Sequence, residues 1–271
     1  MKKLLIILLL ILLLPIIAQA DLEAHFLNVG QGDCAIILCD GEAMVIDGGP
    51  KSASSLVYSY IRNTLDRTQI DYIVSTHPHI DHVGGLAAVL NAAQTDLLLT
   101  PVKEWDSEAF KDMIKYAEDQ GTVINIPYQN DTLKLGGATV TILLCWPKAI
   151  QYGRTNDSSI VLRIDYGETS FLFTGDAEEW AEEMLLQDQV NLKADVLKVA
   201  HHGSPYTTSK QFLEAVSPKY AVISVGKDNK YGHPHADVLE RLQEAGAIIL
   251  RTDELGTIII KSDGTTLTIT N

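Results

Sequence analysis

Seven of the eight histidines in this 271-residue chain fall in three short stretches: His77, His79 and His82; His201 and His202; His233 and His235. Histidines that serve only the core or the surface would scatter, so the clustering points to a shared site. The first stretch, His77-Pro78-His79-Ile80-Asp81-His82, directly follows an apolar run ending near Ser75. Two positions apart in extended backbone, His77 and His79 can project to the same side. Asp81 and His82 come next, and Gly84-Gly85 let a helix begin close by. Imidazole and carboxylate without sulfur suit zinc, manganese or iron, and argue against a structural zinc-finger site. Bound metals acidify water and stabilise charge on attacking and leaving oxygens, so the chemistry expected is metal-assisted hydrolysis.

Two further segments have the same design, a loop at the end of an apolar strand. Phe171-Leu172-Phe173-Thr174-Gly175-Asp176 delivers Asp176, and Val196-Leu197-Lys198-Val199-Ala200-His201-His202-Gly203-Ser204 delivers a histidine pair. Asp176 by itself would read as a turn or N-cap residue before a helix at Glu178. Beside the other motifs it reads as a ligand whose carboxylate could bridge two metals. His25, isolated on the first strand, reads as structural, and His235 as polarity at a helix start.

The elements that must position these loops begin with extended segments at Leu22 to Val29, Cys34 to Leu38 and Ala43 to Ile46, separated by Gly-Gln-Gly-Asp and Asp-Gly turns. Helices and strands then alternate. A helix is expected over Ser54 to Leu65, a strand over Tyr72 to Ser75, and a helix from Ser107 to Glu118 with its apolar stripe on Ala109, Phe110, Met113, Ile114 and Ala117. The second half repeats the pattern, with strands at Thr139 to Leu144, Ser159 to Asp165, Ser170 to Phe173, Val196 to Val199 and Ala221 to Val225. Two β-rich halves that each carry helices predict an α/β (α+β) architecture, two sheets packed face to face with helices outside.

Lys2 and Lys3, the apolar run from Leu4 to Leu14 and the small residues Ala18-Gln19-Ala20 read as a secretory signal peptide over residues 1–20, followed by one hydrolase domain over 21–271. The competing reading is an uncleaved anchor, but the apolar run, interrupted by Pro15, falls short of the ~20 residues that span a bilayer. The chain is therefore expected to be exported, with no membrane span after cleavage. Cleavage removes two lysines and no acids, which takes the formal charge from −14 to −16. Such acidity, with no basic run in the mature chain, disfavours long DNA as a partner, single-stranded DNA included, although a local metal pair can still attract one phosphate. Cys34, Cys39 and Cys145 lack metal-type spacing; the first two lie on opposite faces of a strand, and free thiols are the expected state.

The residues quoted resemble the metallo-β-lactamase superfamily, with its His-x-His-x-Asp-His signature, bridging Asp and final His. Val29-Gly30-Gln31-Gly32-Asp33, Asn156-Asp157-Ser158-Ser159, His201-His202-Gly203-Ser204 and Tyr231-Gly232-His233-Pro234 resemble, within it, the hydrolase domain of ComEC-type competence proteins. The resemblance spans nearly all of the mature chain. It implies a four-layer αββα sandwich of two mixed sheets and a pair of divalent ions, zinc foremost and manganese next. One ion would face His77, His79 and Asp176, the other Asp81, His82, Asp176 and one of His201 or His202, with His201 preferred and His202 as alternate. Asp47 would orient the ligand loop from behind. The chain departs from the pattern in two places. His79 stands where ComEC-type domains commonly carry Asp, and the histidine that many members place between the first signature and the bridging Asp is absent, with Asn156-Asp157-Ser158 in that region.

The expected activity is attack of a metal-activated water on a phosphodiester, as in a phosphodiesterase and, by analogy with the competence domain, a nuclease. Asp81 would orient the nucleophile as well as ligate. His233 would contact a phosphate oxygen or protonate the leaving group, and Ser158 or Ser204 would donate hydrogen bonds. The alternative is a phosphoesterase acting on a small or cell-envelope ester such as phosphocholine or teichoic acid, and a non-catalytic binding module is a further reading. The absent intermediate histidine and the bridging Asp176 weigh against β-lactam hydrolysis.

Overall fold

A computed structural model describes residues 21–270; the expected signal peptide lies outside them. The first sheet starts with β1 (Leu22–Phe26), β2 (Ala35–Cys39), β3 (Glu42–Ile46), β4 (Gln69–Val74), β5 (Gln94–Leu99) and β6 (Val123–Asn125). The second holds β7 (Thr132–Leu135), β8 (Ala138–Leu144), β9 (Val161–Tyr166), β10 (Thr169–Phe173), β11 (Val196–Lys198), β12 (Tyr220–Ile223) and β13 (Ile248–Arg251). The chain then returns to the first sheet as β14 (Ile258–Ser262) and β15 (Leu267–Thr270). Strand orders are β15-β14-β1-β2-β3-β4-β5-β6 and β13-β12-β11-β10-β9-β8-β7. Both sheets are mixed: β3, β4, β5 and β6 run parallel, as do β10, β11, β12 and β13.

Side-chain alternation assigns the layers. On β2, Ala35, Ile37 and Cys39 face the second sheet, while Cys34 and Ile36 face away from it. The inter-sheet core joins these to Ala24, Met44, Val140, Leu162, Phe171 and Val222, and Phe26 stacks on Phe173 across the interface at 5.7 Å. Such an aromatic pair contributes about 0.5–1.5 kcal/mol beyond its area burial. Outside the first sheet lie α1 (Ser54–Ser59), α2 (Ile80–Val83), α3 (Leu86–Ala92) and α4 (Glu108–Gln120). Outside the second lie α5 (Glu179–Gln187), α6 (Lys210–Val216) and α7 (Ala236–Glu244). The four-layer αββα order inferred from the sequence is the observed one. All three cysteines are free. Among the described residues, no helix is long and apolar enough to cross a membrane.

Local chemistry explains the element ends. Ser107 caps α4 by accepting from the Phe110 N–H, and Gly121 closes the helix in the left-handed region at φ 77°. The helix expected over Ser54 to Leu65 is α-helical only to Ser59 and continues as a π turn through Thr64.

The loops after β3 and β4 lock to each other. Gly48 N donates to His82 O at 2.7 Å and Gly85 N to Gly49 O at 3.0 Å. A Cβ on Gly85 would strike the Gly48 carbonyl, and one on Gly48 would sit 2.6 Å from Leu86 N. Two backbones in direct contact thus fix the start of α3 behind the histidine loop. Gly85→Ala is expected to lower the unfolding free energy by ~1–3 kcal/mol through this overpacking. Urea denaturation followed by circular dichroism measures it; a midpoint equal to wild type would show that the loops do not need this approach.

Candidate metal centre

The site lies where the parallel strands of both sheets end. β3 hands over to Asp47, held in the left-handed region at φ 59°. Its Oδ1 accepts from Thr76 N at 2.8 Å, and its Oδ2 accepts from Thr76 Oγ1 and His82 Nδ1 at 2.7 Å each. Asp47 therefore holds the loop after β4 and turns His82 Nε2 inward.

From the second sheet, the loop after β10 supplies Asp176, whose N–H donates to Ser159 Oγ at 3.0 Å. The two carboxylate oxygens face different partners. Oδ1 lies 3.1 Å from His82 Nε2 and 4.0 Å from His202 Nε2, whereas Oδ2 lies 3.6 Å from His77 Nε2 and 3.7 Å from His201 Nε2. His77 Nε2 and His79 Nδ1 converge to 3.1 Å, and His202 Nε2 comes to 3.3 Å from Asp81 Oδ2. Two sets result, His77, His79 and Asp176 on one side and Asp81, His82 and His202 on the other, the ligand atoms of each set lying within 4.8 Å of one another.

The histidine pair thus divides its labour, and the preference for His201 beside Asp81 and His82 is reversed. His202 stands there, buried, while His201 reaches the opposite oxygen of Asp176. The backbone explains the division: His201 (φ 46°, ψ 44°) and His202 (φ 54°, ψ 22°) are consecutive left-handed residues. Each such residue costs on the order of 1–2 kcal/mol. The curl sends neighbouring rings to different sides of one carboxylate, which a strand's alternation could not anticipate.

Each imidazole is held at its outer nitrogen. His202 Nδ1 donates to Ser224 O at 2.9 Å and lies 3.1 Å from Asp33 Oδ1; Asp33 Oδ2 pairs with the buried Lys198 ammonium at 2.7 Å. His201 Nδ1 meets Glu178 Oε1 at 3.1 Å, and Asn156 Nδ2 donates to that same oxygen at 2.8 Å. Such partners fix tautomer and ring orientation. Asp33, Ser224 and Glu178 carry no local sequence signal for these roles. Lys198 was legible as an odd cation in an apolar strand.

Not every expected residue reaches the centre. Ser158 is buried and its hydroxyl is committed to Thr155 O at 2.6 Å, and Ser204 is likewise buried. Ser158 is thus not placed to donate to a substrate, and Ser159, one position on, is the serine that supports Asp176. His233 sits above the histidine pair, its ring 5.5 Å from His201 and 6.4 Å from His202. Asn229 holds its loop, accepting from Tyr231 N and His233 N at 3.1 Å each. Gly203 lets that loop approach, because a Cβ there would sit 2.7 Å from Pro234 Cβ. His235 lies beside Asp237 at the start of α7, in the structural role expected of it.

Burial keeps His77 well below the usual imidazole range, reinforced by His82, so it is neutral with a lone pair on offer. Asp176 is held well below the carboxylate range because, against its burial, His82 and His202 favour the ionised form. His202 is pushed up to about 9 against its burial by Asp176 and Asp33. His233, by burial and then by His201 and His202, is pushed down to about 4. His82 Nε2 and Asp176 Oδ1 are buried and face each other at 3.1 Å without an aligned hydrogen bond. Inward-facing imidazole nitrogens and carboxylate oxygens fit a divalent cation on each side of Asp176.

If Asp47 works by aiming His82, Asp47→Ala is expected to weaken zinc or manganese binding about 10- to 100-fold. Calorimetric titration of the folded variant measures this, and an affinity equal to wild type would remove Asp47 from the account.

The profile of the metallo-beta-lactamase superfamily matches residues 27–227. ComE operon protein 3 of Bacillus subtilis is 31% identical over 253 residues, covering 87% of this chain and 32% of that protein. Recombination protein 2 of Haemophilus influenzae is 29% identical over 242 residues, 87% of this chain and 28% of that protein. The chain therefore spans about a third or less of these relatives' length. Among solved structures, the metallo-beta-lactamase fold protein YhfI of Bacillus subtilis superposes with a TM-score of 0.58 at 12% identity, over 89% of this chain and 100% of that one. A diphosphatase of the PhnP family gives a TM-score of 0.52 at 16% identity, over 89% and 98%. Fold, ligand arrangement and relatives agree: the chain belongs to the metallo-β-lactamase superfamily and is similar to competence proteins of the ComEC type.

Proposed function

We propose that the chain is an exported, metal-dependent phosphodiesterase. The observation that carries this reading is the sharing of Asp176 between two ligand sets, each oxygen turned to one side. A pair of divalent ions so held would supply Lewis acidity to both the attacking and the leaving oxygen of an in-line displacement.

The chain's own residues supply the rest. Asp81 is the most exposed carboxylate of the sets, its side chain 29% accessible, and it is held below the usual carboxylate range by His202 and His82 against partial burial. It stays ionised, able to ligate and to accept a hydrogen bond from the attacking water. His233 is neutral at pH 7 and half-buried, which suits it to donate a hydrogen bond to a phosphate oxygen rather than to deliver a proton. The similarity to competence proteins supports nucleic acid as the source of the diester. The formal charge, −16 after the expected cleavage, disfavours long DNA, single-stranded included, and so leaves short nucleic-acid ends as the fitting substrate. Export rests on the lysine-led apolar run of residues 1–20.

Loaded with zinc or manganese, the protein is expected to hydrolyse bis-p-nitrophenyl phosphate, to lose that activity to a chelator, and to lose about 100-fold or more in kcat as Asp81→Ala. Assays with that ester, p-nitrophenyl phosphorylcholine, and single-stranded and duplex DNA decide the substrate. Absence of metal-dependent hydrolysis of all four would sink the reading, and turnover of the phosphorylcholine ester in preference to the others would replace it with the envelope-ester alternative.

A further inference from the structure

Beside the metal centre lies an open cavity of about 410 Å³ lined by His79, Tyr152, Arg154, Thr155, Asn156 and Glu178. Its volume falls in the range of small-ligand sites, ~300–1,000 Å³. His79 belongs to the first ligand set, so whatever fills the cavity is adjacent to the reacting phosphorus. The wall is the connection between β8 and β9, which also carries Trp146.

That wall is built around one aromatic stack. Trp146 lies between Tyr152 and Trp180 of α5, at 6.0 and 6.2 Å and within 26° of parallel to each. Arg154 places its guanidinium 3.6 Å over the Trp180 ring and 3.5 Å from Asp157 Oδ2. Asp157 is itself fixed, since its Oδ1 accepts from Glu178 N at 2.9 Å and Ala181 N at 3.2 Å at the start of α5. Arg154 is therefore a pre-positioned cation. Its five N–H donors leave it capacity for a phosphate beside the ion pair with Asp157. Tyr152 is supported by Trp146, yet 66% of its surface is open.

We propose, building on the phosphodiesterase reading, that this cavity is a subsite for one nucleotide flanking the scissile phosphate, with its base stacked on Tyr152 and its own phosphate held by Arg154. A flat ring above a supported tyrosine and an anion beside a fixed guanidinium match a nucleotide in both parts. A quaternary ammonium head group fits poorly. Tyr152 and Trp180 each stack on Trp146, at 26° and 25°, one face of Trp180 already carries a cation, and the Glu178 carboxylate is engaged by His201 and Asn156. The subsite also reconciles an acidic protein with a nucleic-acid substrate, because it needs one base and one flanking phosphate in place of a long basic track.

Two p-nitrophenyl diesters with the same leaving group test it, thymidine 5′-(p-nitrophenyl phosphate) and methyl p-nitrophenyl phosphate, together with binding of the dinucleotide d(pTpT) read by tryptophan fluorescence. The metal-loaded protein is expected to prefer the thymidine ester through KM. Tyr152→Ala should shrink that preference about tenfold, the loss of one base–aromatic stack, and Tyr152→Phe should retain it. Arg154→Gln should weaken d(pTpT) binding more than thymidine binding. Equal use of the two esters by wild type, or a preference untouched in Tyr152→Ala, would overturn the subsite even if both esters are hydrolysed. Conversely, d(pTpT) binding that depends on Tyr152 and Arg154, without hydrolysis of any diester, would uphold the nucleotide site and refute the phosphodiesterase.

Discussion

The centre depends on one buried carboxylate standing among four imidazoles. Asp176 has His82 and His202 toward one oxygen and His77 and His201 toward the other. A buried ion without compensation costs several kcal/mol, and so does a buried imidazolium. The arrangement survives burial because the charges alternate outward from Asp176: to His202, then Asp33, then the ammonium of Lys198, which ends by donating to Val199 O at 2.8 Å. The second chain outward is shorter, from Asp176 to His82 and Asp47, with Thr76 closing Asp47 from backbone and hydroxyl. Removing one member of either chain would leave its neighbour charged and unpaired, so the site and the interior that carries it are stabilised together.

The fold contributes by placing strained turns where regular strands end. Asp47, His201 and His202 all have positive φ without being glycine. Such conformations cost on the order of 1–3 kcal/mol apiece and persist only where the surroundings over-determine them. Here the surroundings are hydrogen-bonded: Asp47 N donates to Val74 O at 2.8 Å, His201 N to Gly175 O at 3.1 Å, and the His202 ring to Ser224 O at 2.9 Å. The inter-sheet core, with Phe26 on Phe173, holds the two sets of strand ends in register.

How much of this was legible in the sequence follows from the range of each interaction. The layer order was legible because alternation on strands such as Ala35–Cys39 and the stripe on Glu108–Gln120 are local consequences of burial. The ligand types were legible because histidine is rare enough that clustering is a signal. The strand Thr132–Leu135 is hard to read because it has only four residues at the sheet edge, too few for the alternation of exposed Thr132 and Lys134 with core-facing Leu133 and Leu135 to stand out. The sides taken by His201 and His202 were not legible, because they depend on two dihedral angles. Ser158 and Ser159 differ by one position, and only the turn Asn156–Ser158 decides which of them reaches Asp176.

The two ligand sets are unequal in charge, and the inequality follows from their composition. The set with Asp81 and His82 has a carboxylate of its own in addition to its share of Asp176, so a cation there would be held by more than one negative charge. The set with His77 and His79 has only its share of Asp176, and His79 occupies a position where a carboxylate would have equalised them. A cation on that side would keep more of its charge for an incoming phosphate oxygen, and the same side opens to the cavity bounded by Tyr152 and Arg154. His201 stands at that side with its Nε2 3.7 Å from Asp176 Oδ2 and its Nδ1 fixed by Glu178. Under the phosphodiesterase proposal, the imidazole-rich half would therefore bind the phosphate oxygen, while the carboxylate-rich half would hold its cation more tightly and keep Asp81 beside the attacking water.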